Sequence, residues 1–147
     1  MPLRGFFQSG GGRYIAGLGP DLIVGPNGSI SPVHSMAGIA GFEYAPSPKS
    51  QFFAYYGGTY FDRNYAVVSP GSYLGFGFPG SSTATNRQIQ EPTFGYVQTF
   101  WRNPNYGALQ FITQYAYVTR ALWYAAPGTP STAHANMLFG ALRFTLP

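Results

Sequence analysis

The chain has 147 residues, of which 45% are hydrophobic and 18% aromatic but only 8% charged, with eight Lys plus Arg against four acids and no cysteine. An ordinary globular domain carries about 25% charge, so this composition argues against a conventional water-soluble surface. The missing cysteines exclude a disulfide framework and a thiolate metal site, and the scattered basic residues make no nucleic-acid footprint.

No stretch approaches the roughly 18 to 20 uninterrupted apolar residues of a spanning helix. Few charges, many aromatics and no long apolar run fit a membrane β-barrel, in which lipid-facing and lumen-facing residues alternate. The opening stretch MPLRGFFQSGGGRYIAG lacks an apolar h-region, so it does not read as a secretory signal.

In chain order, a first strand is expected over residues 3–8, followed by strands over 13–24, 36–44, 51–61, 93–102, 108–123 and 133–146. Helix is not expected: capping boxes and apolar stripes of helical period are lacking, and Gly, Thr, Tyr and Phe recur instead of good helix formers. The connections 25–35, 45–50, 62–92, 103–107 and 124–132 alternate longer and shorter. APSPKS and NPNYG are tight Pro/Asn turns, whereas the long loop 62–92 contains SPGSYLGFGFPGSSTATN. Short periplasmic turns alternating with long extracellular loops is the rhythm of an outer-membrane barrel, and it places the C-terminus on the periplasmic side.

Facing follows from the period-two pattern. In the last strand Leu138, Leu142, Phe144 and Leu146 share one parity and Arg143 and Thr145 the other; in 108–123, Leu109, Phe111, Tyr115, Tyr117 and Trp123 oppose Gln110, Gln114 and Arg120. In 36–44, Phe42 and Tyr44 oppose Glu43. The strand TFGYVQTFWR resists assignment, because Phe94, Tyr96, Phe100 and Arg102 share a parity while Val97 and Trp101 share the other. Tyr44, Trp101 and Tyr106 near the short turns, with Phe61, Trp123 and Tyr124 near the long loops, suggest two aromatic girdles.

The expected fold is therefore all-β: an antiparallel up-and-down transmembrane sheet of six or seven strands, forming one segment over 1–147. Single-chain bacterial barrels need at least about 8 strands, so the sheet is an incomplete barrel. It is completed either by missing N-terminal barrel strands or by homo-oligomer partners.

The alternating last strand, the turn-and-loop rhythm and the hairpin GFEYAPSPKSQFFAYYGGTYF together resemble the C-terminal portion of bacterial outer-membrane porins. Leu138, Gly140, Leu142, Phe144 and Leu146 occupy the alternating positions of what looks like a barrel-assembly signal, although the chain ends Leu146-Pro147 where such a signal ends in Phe or Trp. The resemblance implies location in a bacterial outer membrane, contact with its lipids, and passive diffusion of small hydrophilic solutes without enzymatic chemistry. Pore-lining residues would then be Arg13, Glu43, Arg102, Gln110, Gln114, Arg120 and Arg143, whose excess of arginine favours anions mildly. Lipid-facing or girdle residues would be Phe42, Tyr44, Trp101, Tyr106, Trp123, Leu138, Leu142, Phe144 and Leu146. The 62–92 loop is the candidate constriction.

Other motifs are weaker. GFGFPG at 75–80 matches G-x-G-x-x-G but opens no convincing helix, His34 and His134 lack metal-ligand spacing, and Asp21, Glu43, Asp62 and Glu91 form no evident acid/base pair. No catalytic, cofactor-binding or metal residue is assigned. The alternatives are a structural or adhesive surface or fibre subunit built on stacked strands, and a soluble β-barrel that binds a ligand.

Overall fold

The computed structural model describes residues 3–15, 19–82 and 85–147. Its strands are β1 (Leu3–Ser9), β2 (Leu22–Val24), β3 (Ile30–Pro32), β4 (His34–Ser47), β5 (Ser50–Phe61), β6 (Asn64–Ser69), β7 (Ser72–Phe76), β8 (Asn86–Asn103), β9 (Gly107–Leu122) and β10 (Thr132–Thr145), with a single 3-10 turn at Gly12–Tyr14. The all-β expectation holds at this level: there is no α-helix among the described residues.

Six strands form one antiparallel sheet in the order β1-β4-β5-β8-β9-β10, an up-and-down meander into which the hairpins β2-β3 and β6-β7 are inserted. The sheet is open, with β1 at one edge and β10 at the other, and no barrel is closed among the described residues. Soluble proteins average about 5 to 6 residues per strand. Here β8, β9 and β10 run for 18, 16 and 14 residues, longer than the roughly 9 to 11 residues a tilted strand needs to cross a bilayer.

All connections of one kind lie at one end. The β4–β5 turn is Pro48-Lys49, closed by Lys49 N donating to Ser47 Oγ at 3.3 Å. At the same end Asn103 Oδ1 accepts from Asn105 N at 2.8 Å, and Asn103 O accepts from Tyr106 N at 3.3 Å. Gly107, the residue that follows the three-residue turn and opens β9, then takes φ +95°, the positive-φ backbone that glycine adopts without a Cβ clash. A Cβ there would lie 1.9 Å from the Thr145 carbonyl oxygen, so the position accepts only glycine. The inserted hairpins and the 123–131 connection occupy the opposite end.

Two expected boundaries differ. Residues 13–24 do not form one strand: Arg13 sits in the 3-10 turn, only Leu22–Val24 is extended, and it pairs with β3 outside the main sheet. Part of that expected strand, 16–18, lies outside the described residues. Gly12 explains the break, since a Cβ there would meet Pro20 O at 2.6 Å; the chain doubles back on itself instead of extending. The first strand of the sheet is β1, the stretch expected over 3–8. Similarly β8 begins at Asn86 rather than 93, so the 62–92 loop is shorter than expected and itself contains the β6-β7 hairpin. Pro92 lies inside β8. Lacking an N–H, it interrupts the pairing with β9, whose register passes from Gln90↔Thr119 to Thr93↔Ala116.

The buried core is small and lies away from the sheet centre. Ile15, Ile23, Val33, Phe61 and Phe76 cluster where the inserted hairpins fold back at the long-loop end, packed against Ala37 and Trp123. Asn64 Nδ2 ties the two hairpins together by donating to Ser31 Oγ and Pro32 O, both at 2.8 Å. Trp123 Nε1 donates to Phe61 O at 2.8 Å. Full burial of Phe61 and Val33 contributes about 1.5 to 3 kcal/mol each. The rest of the sheet lacks such cover. A compact monomer of this mass exposes about 7,400 Å². This chain, at 16.0 kDa, exposes 9419 Å².

Candidate functional site

Residues opposite one another across an antiparallel ladder point to the same side, so the register separates the sheet into two faces. The row Phe42↔Ala54↔Phe94↔Tyr115↔Leu138 runs across five strands on one face. Tyr44, Phe52 and Tyr96 form a neighbouring row, with Phe52 and Tyr96 rings 4.8 Å apart, and Trp101, Leu109 and Phe144 another nearer the short turns. These side chains are solvent-exposed: Leu138 78%, Leu142 72%, Phe42 58% and Phe94 57%. On β10 this aromatic face stays largely apolar from Leu138 to Phe144, and above it His134 and Asn136 bring polar atoms.

The opposite face is mixed and carries the charges of the sheet. On this face, among the described residues of the regular ladder, the exposed large hydrophobics are Phe6, Ile39 and Phe139. Arg143 Nε and Nη2 donate to Gln110 Oε1 at 3.0 and 2.6 Å, and Gln110 Nε2 donates to Thr99 Oγ1 at 2.9 Å, a polar ladder across β10, β9 and β8. Glu43 accepts from Gln51 Nε2 at 3.0 Å and from the Tyr55 hydroxyl. Arg120 Nε donates to Asn86 Oδ1. Gln114 pairs across with Phe139 on this same face, and Arg102 joins it opposite Ala108.

Of the residues expected to line a lumen, the sheet thus brings Glu43, Arg102, Gln110, Gln114, Arg120 and Arg143 onto one face. Arg13 is not among them. It lies in the 3-10 turn and pairs with Asp21, whose carboxylate accepts from the Arg13 backbone N–H at 3.0 Å and from its guanidinium. That backbone donor, with the guanidinium beside it, holds the Asp21 carboxyl below its usual range. The charged face also holds residues that strand reading did not place there: Arg4, on the first strand, for which no facing was assigned, and Glu91, which fell in the expected 62–92 loop. Its ladder charge is then Arg4, Arg102, Arg120 and Arg143 against Glu43 and Glu91.

Of the expected lipid-facing or girdle set, Phe42, Tyr44, Trp101, Leu138, Leu142 and Phe144 share the aromatic face. Tyr106 lies in the β8–β9 turn and Leu146 beyond β10, both exposed. Trp123 differs: it lies past the end of β9, packed on the loop-end core with the Arg63 and Arg87 guanidinium carbons 5.6 and 5.9 Å from its ring centre. Phe61 differs too, being fully buried on the charged side rather than in an outer girdle.

The unassignable strand is resolved by a β-bulge. The β8–β9 register shifts between Thr99 and Trp101, so Thr99 faces Gln110 on the charged side while Trp101 faces Leu109 on the aromatic side. One extra residue, Phe100, reverses the parity. Phe94, Tyr96 and Trp101 therefore share a face despite their mismatched spacing.

A cavity of about 750 Å³ opens on the charged face, between β1, β4, β5 and β8 and the segment that carries Tyr14 and Ile15. No group of His, Asp or Glu capable of holding a metal occurs among the described residues. Comparison with protein-family models, curated proteins and solved structures finds no match to this chain.

Proposed function

We propose that the six-stranded sheet is part of the wall of an outer-membrane β-barrel channel, its aromatic face toward lipid and its charged face toward a water-filled lumen that passes small hydrophilic solutes. The observation that carries this reading is the exposed, largely aromatic face on strands of 12 to 18 residues, with Glu43, Arg102, Gln110, Gln114, Arg120 and Arg143 of the same sheet on the other side. On β10 Asn136, where polar atoms begin, lies eight residue steps from Phe144, or about 27 Å along the strand and about 21 Å in height at a 40° tilt, close to the roughly 25 Å apolar band of such barrels.

An open edge is not tolerated in hydrocarbon, so the wall requires strands on both sides of the sheet, from further barrel strands or from other copies of the chain. The surplus of arginine over glutamate on the charged face favours anions, and the hairpins folded over that face at one end narrow the passage. Reversal potential across a planar bilayer in a salt gradient tests this: anion preference is expected, reduced by Arg143→Glu, and cation preference in the unsubstituted protein would defeat it. The exposed β10 edge also favours a second reading, a surface or fibre subunit joined edge to edge. Sedimentation as long assemblies without detergent would support that alternative.

A further inference from the structure

The geometry points to the cavity on the charged face as a binding site for a short zwitterionic solute with an apolar body, the class represented by a peptide of two or three small residues with both termini free. Arg4, Ile39, Gly57 and Glu91 stand in one register row across β1, β4, β5 and β8, and all four line the cavity. A cation and an anion therefore close its two ends, with apolar floor between them. Neither charge is spent within the fold: the one ion pair among the described residues is Arg13–Asp21, and Glu91 accepts a neutral hydrogen bond from Thr93 Oγ1 at 3.1 Å.

The dimensions select the ligand. Three inter-strand steps separate the Arg4 and Glu91 backbones by about 14 Å. With both side chains leaning inward the charges bracket about 7 to 10 Å, the length of two to three extended residues. A carboxylate at Arg4 gains a charge-assisted partner whose guanidinium offers a two-pronged donor, and an ammonium at Glu91 gains a carboxylate already oriented by Thr93. Phe6 and Ile89 flank the apolar middle, and Tyr14 and Ile15 of the connecting segment line it as well. The absence of a side chain at Gly57 keeps the floor open, since a Cβ there would meet only Gly38 O, at 4.0 Å.

This site stands whether or not the sheet spans a membrane, because it requires only the folded sheet and the segment over it. The experiment is calorimetric titration of the full chain, in detergent micelles where its circular dichroism is β-rich, with trialanine, its N-acetyl form and its C-terminal amide. Free trialanine is expected to bind, and each blocked form to bind at least about tenfold more weakly. Arg4→Gln should lower binding of the free peptide to that of the amide while leaving the amide itself unchanged, and Gly57→Leu should abolish binding of all three with the spectrum intact. Equal binding of the three peptides, or no binding to protein with a native spectrum, would overturn the site. Since no current is measured, a chain that conducts but does not bind defeats this inference alone, and one that binds but does not conduct defeats the channel reading alone.

Discussion

Leu138→Arg separates a lipid-facing sheet from a water-facing one. Leu138 is 78% exposed and lies in the row with Tyr115, Phe94 and Phe42. It sits two residues from Gly140, the midpoint of the Asn136 to Phe144 span, or about 7 Å along the strand. If that face met water, the substitution would change stability by no more than about 0.5 kcal/mol, because almost no packing is lost. Against hydrocarbon near the middle of the band, an arginine costs about 2 to 4 kcal/mol. Urea unfolding in phospholipid vesicles, followed by tryptophan fluorescence, measures the difference. Ala141→Arg is the control, since Ala141 lies one residue from that midpoint but pairs with Ile112 on the charged face. The expected result is a loss of about 2 kcal/mol or more for Leu138→Arg and less than about 1 for Ala141→Arg. Equal small effects would refute the lipid assignment of the aromatic face.

Three other outcomes follow from local geometry. Gly107→Ala, which combines φ +95° with a Cβ 1.9 Å from Thr145 O, should lower the urea midpoint by the equivalent of about 1 to 3 kcal/mol, and an unchanged midpoint would contradict the turn. Arg143→Met leaves Oε1 of Gln110, a residue only 8% exposed, without its donor and should cost about 1 to 3 kcal/mol in the same assay. Adding Gln110→Met should recover part of that loss, and strict additivity would show that the ladder does not couple them. Because the Asp21 carboxyl is held below its ordinary value of 3.8, its contribution is present at pH above that value and is lost as pH falls through the lower folded value. The protection factor of the Arg13 amide, whose N–H the Asp21 carboxylate accepts, should therefore fall on acidification below about pH 4 in the wild type and show no such step in Asp21→Asn. A step of equal size in both would remove Asp21 as its cause.

How far the sequence spoke depended on whether its period was interrupted. The strands that became β4, β9 and β10 alternate over much of their length, so the grouping of Leu138, Leu142 and Phe144 against Arg143, and of Phe111 and Tyr115 against Gln110, was legible from parity alone. β8 defeated parity because a bulge has no signature in a string of aromatic and polar residues; Phe100 becomes the extra residue only once Thr99 and Trp101 are seen to pair with consecutive residues of β9. Pro92 was misleading for a related reason: proline is costly in a ladder, yet this one is accommodated by leaving pairs out.

The interior of the loop end was hidden more deeply. Residues 13–24 have an apolar pattern suited to a strand, but that pattern supplies Ile15 and Ile23 to a core formed with Phe61 and Phe76 from distant parts of the chain. Trp123 was expected at a girdle because tryptophan favours interfaces; its indole N–H instead found the Phe61 carbonyl, a long-range partner no spacing rule could supply. The Arg4–Glu91 row was likewise unreadable, since it depends on the registers of three successive strand pairs.

The most direct test of the two-faced sheet is residue-by-residue accessibility along β10. The chain contains no cysteine, so single cysteines introduced in turn from 137 to 144 can each carry a spin label in lipid-reconstituted protein. The expected result is a period of two, with 138, 142 and 144 exposed to dissolved oxygen in the bilayer and 137, 139, 141 and 143 exposed to a water-soluble paramagnetic reagent. Equal access of the aqueous reagent to both parities would contradict a lipid-facing sheet.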